Sequence, residues 1–113
     1  MPRDLAYLRD MALAIESIFE FVGSEGRTAF LSRKVIQSAV QHELIVIGEA
    51  AGRLSEDFRA EHPDIPWPKV VSFRNVLVHE YDRVDMETVW NVCETHLPGL
   101  LDFCRRCLEE AGE

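Results

Sequence analysis

Leu5, Leu8, Ala12, Ile15, Phe19 and Val22 recur at three- and four-residue steps, so the N-terminal segment carries one apolar stripe. Such a stripe is buried when the segment is helical and packs on other helices, and it predicts a first helix from about Asp4 to Val22. Gly23-Ser24-Glu25-Gly26 ends it, because glycine is free to take positive φ. Val35, Ile36, Ala39, Val40, Leu44, Ile47, Ala50, Ala51 and Leu54 form a wider face. They predict a long second helix from about Ser32, its cap, to Leu54. Gly48 and Gly52 lie inside it, where glycine costs about 1 kcal/mol relative to alanine, so close approach by another helix is the plausible reason for both.

Ser55 to Arg59 fits one short helical turn, and Pro63, Pro66 and Pro68 mark an irregular stretch. Pro68 suits the first turn of a third helix reaching about His79. Val70, Val71, Phe73, Val76, Leu77 and Val78 make this helix apolar on most sides, which predicts the most buried helix of the chain. Asp85 can cap a fourth helix from near Met86, with Val89, Trp90, Val92, Cys93 and Leu97 facing inward. Pro98 should kink or split it before Leu100, Leu101, Phe103, Cys104 and Leu108 continue the pattern. No strand alternation or internal repeat interrupts this periodicity. The expected architecture is all-α, an up-and-down bundle of four or five helices forming a single domain over residues 1–113.

A chain of 113 residues with 47% hydrophobic and 28% charged side chains suits one folded domain with a modest core, which a partner subunit would help stabilise. No apolar run approaches the roughly 20 residues of a membrane span. Met1-Pro2-Arg3-Asp4 leads straight into a charged amphipathic pattern, unlike a signal peptide. Three cysteines, an odd number without framework spacing, favour a reducing, cytoplasmic setting. The net charge of −8 argues against indiscriminate nucleic-acid binding. That charge sits at the ends: residues 27–83 carry eight basic and eight acidic side chains. An anionic ligand should therefore approach the middle of the chain, where Arg33, Lys34, Arg53, Lys69, Arg74 and Arg83 lie.

The third helix is almost wholly apolar yet carries Arg74, Asn75 and His79, which need partners or a cleft. At about 100° per residue, Asn75 and His79 share a face, whereas Arg74 and His79 diverge by roughly 140°. Arg74 and Tyr81, seven apart, share an edge if the helix extends that far. Arginine's length, an opening of the helix near its end, or a two-fold pairing of copies could bring Arg74 and His79 together. Histidine can take and return a proton near neutral pH, and arginine matches phosphate oxygens bidentately. Together they suit cleavage of RNA, whose 2′-hydroxyl is an internal nucleophile that needs no metal or other cofactor. From residue types alone, such a pair on a buried helix is more often a satisfied polar pair than a catalytic site.

The segment Arg74-Asn75-(Val76-Leu77-Val78)-His79-Glu80-Tyr81 resembles the signature of the HepT-like family within the HEPN superfamily. Ile47-Gly48-Glu49-Ala50-Ala51, Arg53-Leu54-Ser55, Ile65-Pro66-Trp67, Val84-Asp85, Val89-Trp90 and Leu97-Pro98 extend the likeness over nearly the whole chain. The resemblance implies a homodimeric HEPN-like helical bundle whose motif helices face each other across a cleft. It implies a metal-independent endoribonuclease toxin of a type VII-like toxin–antitoxin pair, acting on RNA, with tRNA as one candidate. It further implies a nucleotidyltransferase antitoxin that transfers AMP to the motif tyrosine, here Tyr81. On this reading Arg74 and His79 are catalytic, and Asn75 and Glu49 support them. Glu49 could orient Arg74 or form a simple salt bridge with it.

His42-Glu43 departs from the family, standing where many relatives carry an Arg-Asn pair, which bears on activity and substrate choice. His42 reads best as an exposed helix histidine. Cys104-Arg105-Arg106-Cys107 has CxxC spacing without a second ligand pair, and core packing suits Cys93 and Cys104 better. Trp67 and Trp90 read as core anchors, and His62 and His96 receive no role. Two rivals share the motif: an inactive helical adaptor docking a nucleotidyltransferase, and a nucleotide-binding module using Arg74.

Overall fold

The computed structural model describes residues 2–113; Met1, at the head of the segment read as unlike a signal peptide, lies outside the described residues. Helix α1 spans Pro2–Val22, and its buried face is the floor of the core: Leu8 and Ile15 of the expected stripe are completely buried, as are Met11 and Ile18, whereas Phe19 is 39% exposed. Burying one such side chain stabilises the fold by about 1.5–3 kcal/mol. Gly23 and Gly26, both with φ near 60°, turn the chain at the end of α1.

A short helix follows that the periodicity did not predict, α2 over Gly26–Ser32. It is held by Phe30, fully buried, whose ring centroid lies 5.7 Å from that of Trp90. Ser32 is therefore the last residue of α2 rather than a cap of the next helix, and its hydroxyl donates to the Thr28 carbonyl at 2.7 Å. Arg33, extended at φ −123° and ψ 108°, separates the two helices, and α3 runs over Lys34–Arg53. Helix α4, Glu56–Glu61, begins at Ser55, whose hydroxyl accepts from the Phe58 amide. Ser55 is in turn fixed by buried Asp4, which accepts from its amide and its hydroxyl, both at 2.8 Å.

Helix α5, Trp67–His79, has Pro68 in its first turn. Helices α6, Met86–Thr95, and α7, Leu97–Glu110, meet at His96, so the break comes just before Pro98. Asp85 caps α6 by accepting from the Glu87 amide at 3.2 Å. Cys93 and Cys104 consequently sit on different helices, and both are buried in the core. Helix α1 packs on α3 and α7, α3 packs on α5, and α6 leans on α7 and α2. The result is an all-α bundle with no strand among the described residues.

One expectation about α5 is overturned. Only Trp67 and Leu77 on it are buried, while Val76 and Val78 remain 40% and 38% exposed. Its apolar character is real, but within one chain α3 covers one flank and another flank stays open. No helix among the described residues is long and apolar enough to cross a membrane.

Candidate active site

Three fastenings set the position of α5. At its start, Trp67 is buried against Phe58 and Phe103, and its indole donates to the His62 carbonyl at 2.9 Å. His62, given no role from the sequence, packs in this cluster with ring centroids 4.5 Å from Phe58 and 5.0 Å from Phe103. Midway, the two glycines of α3 admit α5 closely. A Cβ on Gly48 would collide with Arg74, and one on Gly52 would meet Val71 at 3.6 Å. At the far end, Gln41 on α3 donates to the Tyr81 carbonyl at 3.4 Å. Gln41 was not singled out in the sequence, although it stands seven residues before Gly48 and so on the same helical face.

This antiparallel seam places the motif. Arg74 is half-buried, with Nη2 3.5 Å from Glu49 Oε1, and Nη1 donates to Asn75 Oδ1 at 2.9 Å. Its Nε is buried and has no acceptor among the described residues. The Glu49 contact is long and both groups are partly wet, so it is worth about 0–1 kcal/mol and yields readily to a stronger anion. His79 is the last residue of α5 and is exposed, with no side-chain hydrogen bond among the described residues. Glu80 leaves the helix at φ −132° and ψ 29°, so Tyr81 does not share a helical edge with Arg74. It stands instead in the following turn, 65% exposed.

The structure thus brings Arg74, Asn75 and Glu49 together, and leaves His79 and Tyr81 open at the end of α5. Because α5 is helical through His79, one chain presents Arg74 and His79 in divergent directions. His42 is exposed on α3, as expected from the sequence.

A cleft of about 230 Å³ opens beside Arg74, lined by Gly48, Glu49, Gly52, Arg53, Val71, Arg74 and Asn75. A larger cleft, about 530 Å³, has mostly apolar walls that include Leu44, Ile47, Val70 and Phe73, with Lys69 and His96 among its polar residues. No motif residue lines it. Burial pushes the Cys93 and Cys104 thiols up to about 12, as suits core side chains. Among the described residues, no three His, Cys, Asp or Glu side chains converge as a metal-ligand set.

Comparison with known proteins agrees with the motif. The family described as Ribonuclease HepT-like matches residues 11–107, which include α3 and the segment Arg74–Tyr81. The chain is 39% identical over 94 residues to "Probable ribonuclease HepT" of Thermococcus cleftensis, covering 83% of this chain and 86% of that one. It is 32% identical over 95 residues to a Methanocaldococcus jannaschii protein named provisionally as an RNase, covering 84% and 87% of the two chains. A second protein of that organism, named in the same way, is 34% identical over 112 residues, 98% and 97% of the two chains. No solved structure gave a significant match. The chain belongs to the HepT-like ribonuclease family.

Proposed function

We propose that this chain, acting as a single domain over residues 1–113, is a metal-independent endoribonuclease that works as a homodimer. Arg74 and His79 are its catalytic groups, and Asn75 and Glu49 hold Arg74. The observation that carries this reading is the placement of the motif. A half-buried, loosely paired arginine and an open histidine stand on one helix, in a chain of a ribonuclease family.

In the reaction, the RNA 2′-hydroxyl gives its proton to a His79 imidazole, and its oxygen bonds to the adjacent phosphorus. The P–O5′ bond breaks, O5′ takes a proton from the His79 imidazolium, which returns the imidazole to its starting form, and the products are a 2′,3′-cyclic phosphate and a 5′-hydroxyl. Arg74 releases Glu49 and binds the non-bridging oxygens, where negative charge grows. A two-fold pair resolves the divergence within one chain by setting Arg74 of one copy near His79 of the other. The exposed Val76 and Val78 supply apolar surface beside the motif for that pairing.

The chain is, on this reading, the toxin of a type VII-like pair in the cytoplasm, with tRNA as one candidate substrate. Its antitoxin is a nucleotidyltransferase. Tyr81 Oη attacks the α-phosphorus of ATP, pyrophosphate leaves, and the tyrosine carries AMP as a phosphodiester. The added negative charge then competes with RNA for Arg74. The exposure of Tyr81 also suits a second reading, an inactive adaptor that presents this tyrosine to the nucleotidyltransferase. Expression in a bacterial host separates the two. The nuclease reading requires growth arrest that His79→Ala or Arg74→Ala relieves, and equal, harmless growth of all three supports the adaptor.

A further inference from the structure

The cleft beside Arg74 contains two guanidinium groups, and only one belongs to the motif. Arg53, in the last turn of α3, lines the same 230 Å³ space as Arg74, Asn75 and Glu49. It is exposed and forms no ion pair among the described residues, whereas Arg74 stands 3.5 Å from the Glu49 carboxylate. Glu49 balances the formal charge of one of the two arginines, and the second leaves the cleft net cationic. That matters in a chain of net charge −8, whose overall field repels RNA. Gly48 and Gly52 form part of the lining, so no side chain projects from either into the cleft.

We propose that this cleft is a phosphate subsite for RNA, with Arg53 as its second cation. Arg53 captures a backbone phosphate and Arg74 is then drawn from Glu49 to the scissile one. Arg53 is a binding residue that contributes to capture of RNA rather than to the chemical step. The ligand's identity as RNA rests on the ribonuclease reading above.

The test is binding of a 2′-O-methyl oligoribonucleotide, which cannot be cleaved by 2′-attack, measured against salt concentration. For Arg53→Gln, Kd should rise about tenfold at low salt, the loss of one charge-assisted contact. The slope of log Kd against log salt should fall by about 0.7, one phosphate contact on a single strand. Arg53→Lys should keep the slope, and Arg105→Gln, which touches only an exposed pair with Glu16, should change neither quantity. With cleavable RNA, Arg53→Gln should raise KM about tenfold and leave kcat within about twofold. Unchanged Kd and slope in Arg53→Gln, or no binding by the wild type, overturns the proposal. Binding that depends on Arg53 without any cleavage of RNA would sink the nuclease reading alone.

Discussion

Gly48 lies directly beneath Arg74, so close that a Cβ added there would overlap the arginine's own Cβ and lie 2.7 Å from its Cγ. The arginine stem leaves α5 across a bare patch of α3, which is how a cation on an apolar helix reaches Glu49 and the cleft. Gly48→Ala must push the two helices apart. The overlap costs about 1–3 kcal/mol, and the gain in helix propensity returns about 1 kcal/mol. Gly52 meets nothing nearer than Val71 at 3.6 Å, an ordinary contact. Thermal denaturation should therefore show opposite signs: Tm lowered by several degrees in Gly48→Ala, and unchanged or raised in Gly52→Ala. Equal shifts in one direction would contradict the close approach at Gly48.

Asp4 is the one charged or polar residue that the described core buries, at 3% exposure, and both its oxygens are used by Ser55. It ties the start of α1 to the start of α4. Asp4→Ala leaves the Ser55 amide without its acceptor and should cost about 2 kcal/mol. Urea denaturation should show a lowered midpoint with an unchanged slope. An unchanged midpoint would mean that water replaces the carboxylate at no loss.

Much of this fold was legible because single residues dictate local outcomes. The stripe from Leu5 to Val22, the Asp85 cap and the break before Pro98 each follow from backbone chemistry or side-chain spacing. Gly48 and Gly52 signalled the close seam, and the motif signalled the family. Helix α2 escaped because seven residues starting at glycine carry too little periodicity, and only Ala29 and Phe30 are buried on it. The burial of α5 was overestimated for a different reason. Hydropathy records that Val76 and Val78 are apolar, not whether their cover comes from the same chain. Arg53 was legible only as one of six mid-chain cations and Gln41 not at all, because what α3 faces decides their place, and spacing along one helix does not reveal the neighbour.

The cysteines give a pH-dependent signature. Folded Cys93 and Cys104 keep their protons to about 12, because burial disfavours the thiolate, whereas the ordinary value is 9.0. Above pH 9 the unfolded chain releases protons that the folded chain retains. The stabilisation is therefore fully present below pH 9 and is lost progressively as pH rises towards 12. The Cys93→Ala/Cys104→Ala double variant should show a shallower fall of stability between pH 8 and 10.5 than the wild type. Identical slopes would show that other groups govern the alkaline limb.

Tyr81 offers its hydroxyl in the turn after α5, while its carbonyl is held by Gln41. If the proposed regulation holds, co-expression with a nucleotidyltransferase antitoxin should raise the mass of the Tyr81 peptide by one or more AMP units. On the proposed scheme the modified protein should lose RNA cleavage, since added negative charge near the motif competes with the substrate for its cations. An unmodified peptide under conditions where the transferase is active removes this regulation from the scheme.

The decisive assay is RNA cleavage by the purified protein in excess EDTA. Wild type should cut RNA to 2′,3′-cyclic phosphate ends, spare the same oligonucleotide bearing 2′-deoxy at the cut site, and lose at least about a hundredfold in rate on His79→Ala or Arg74→Ala. Undiminished cleavage by both variants, or cleavage that EDTA abolishes, would contradict the assignment of the reaction to these two side chains.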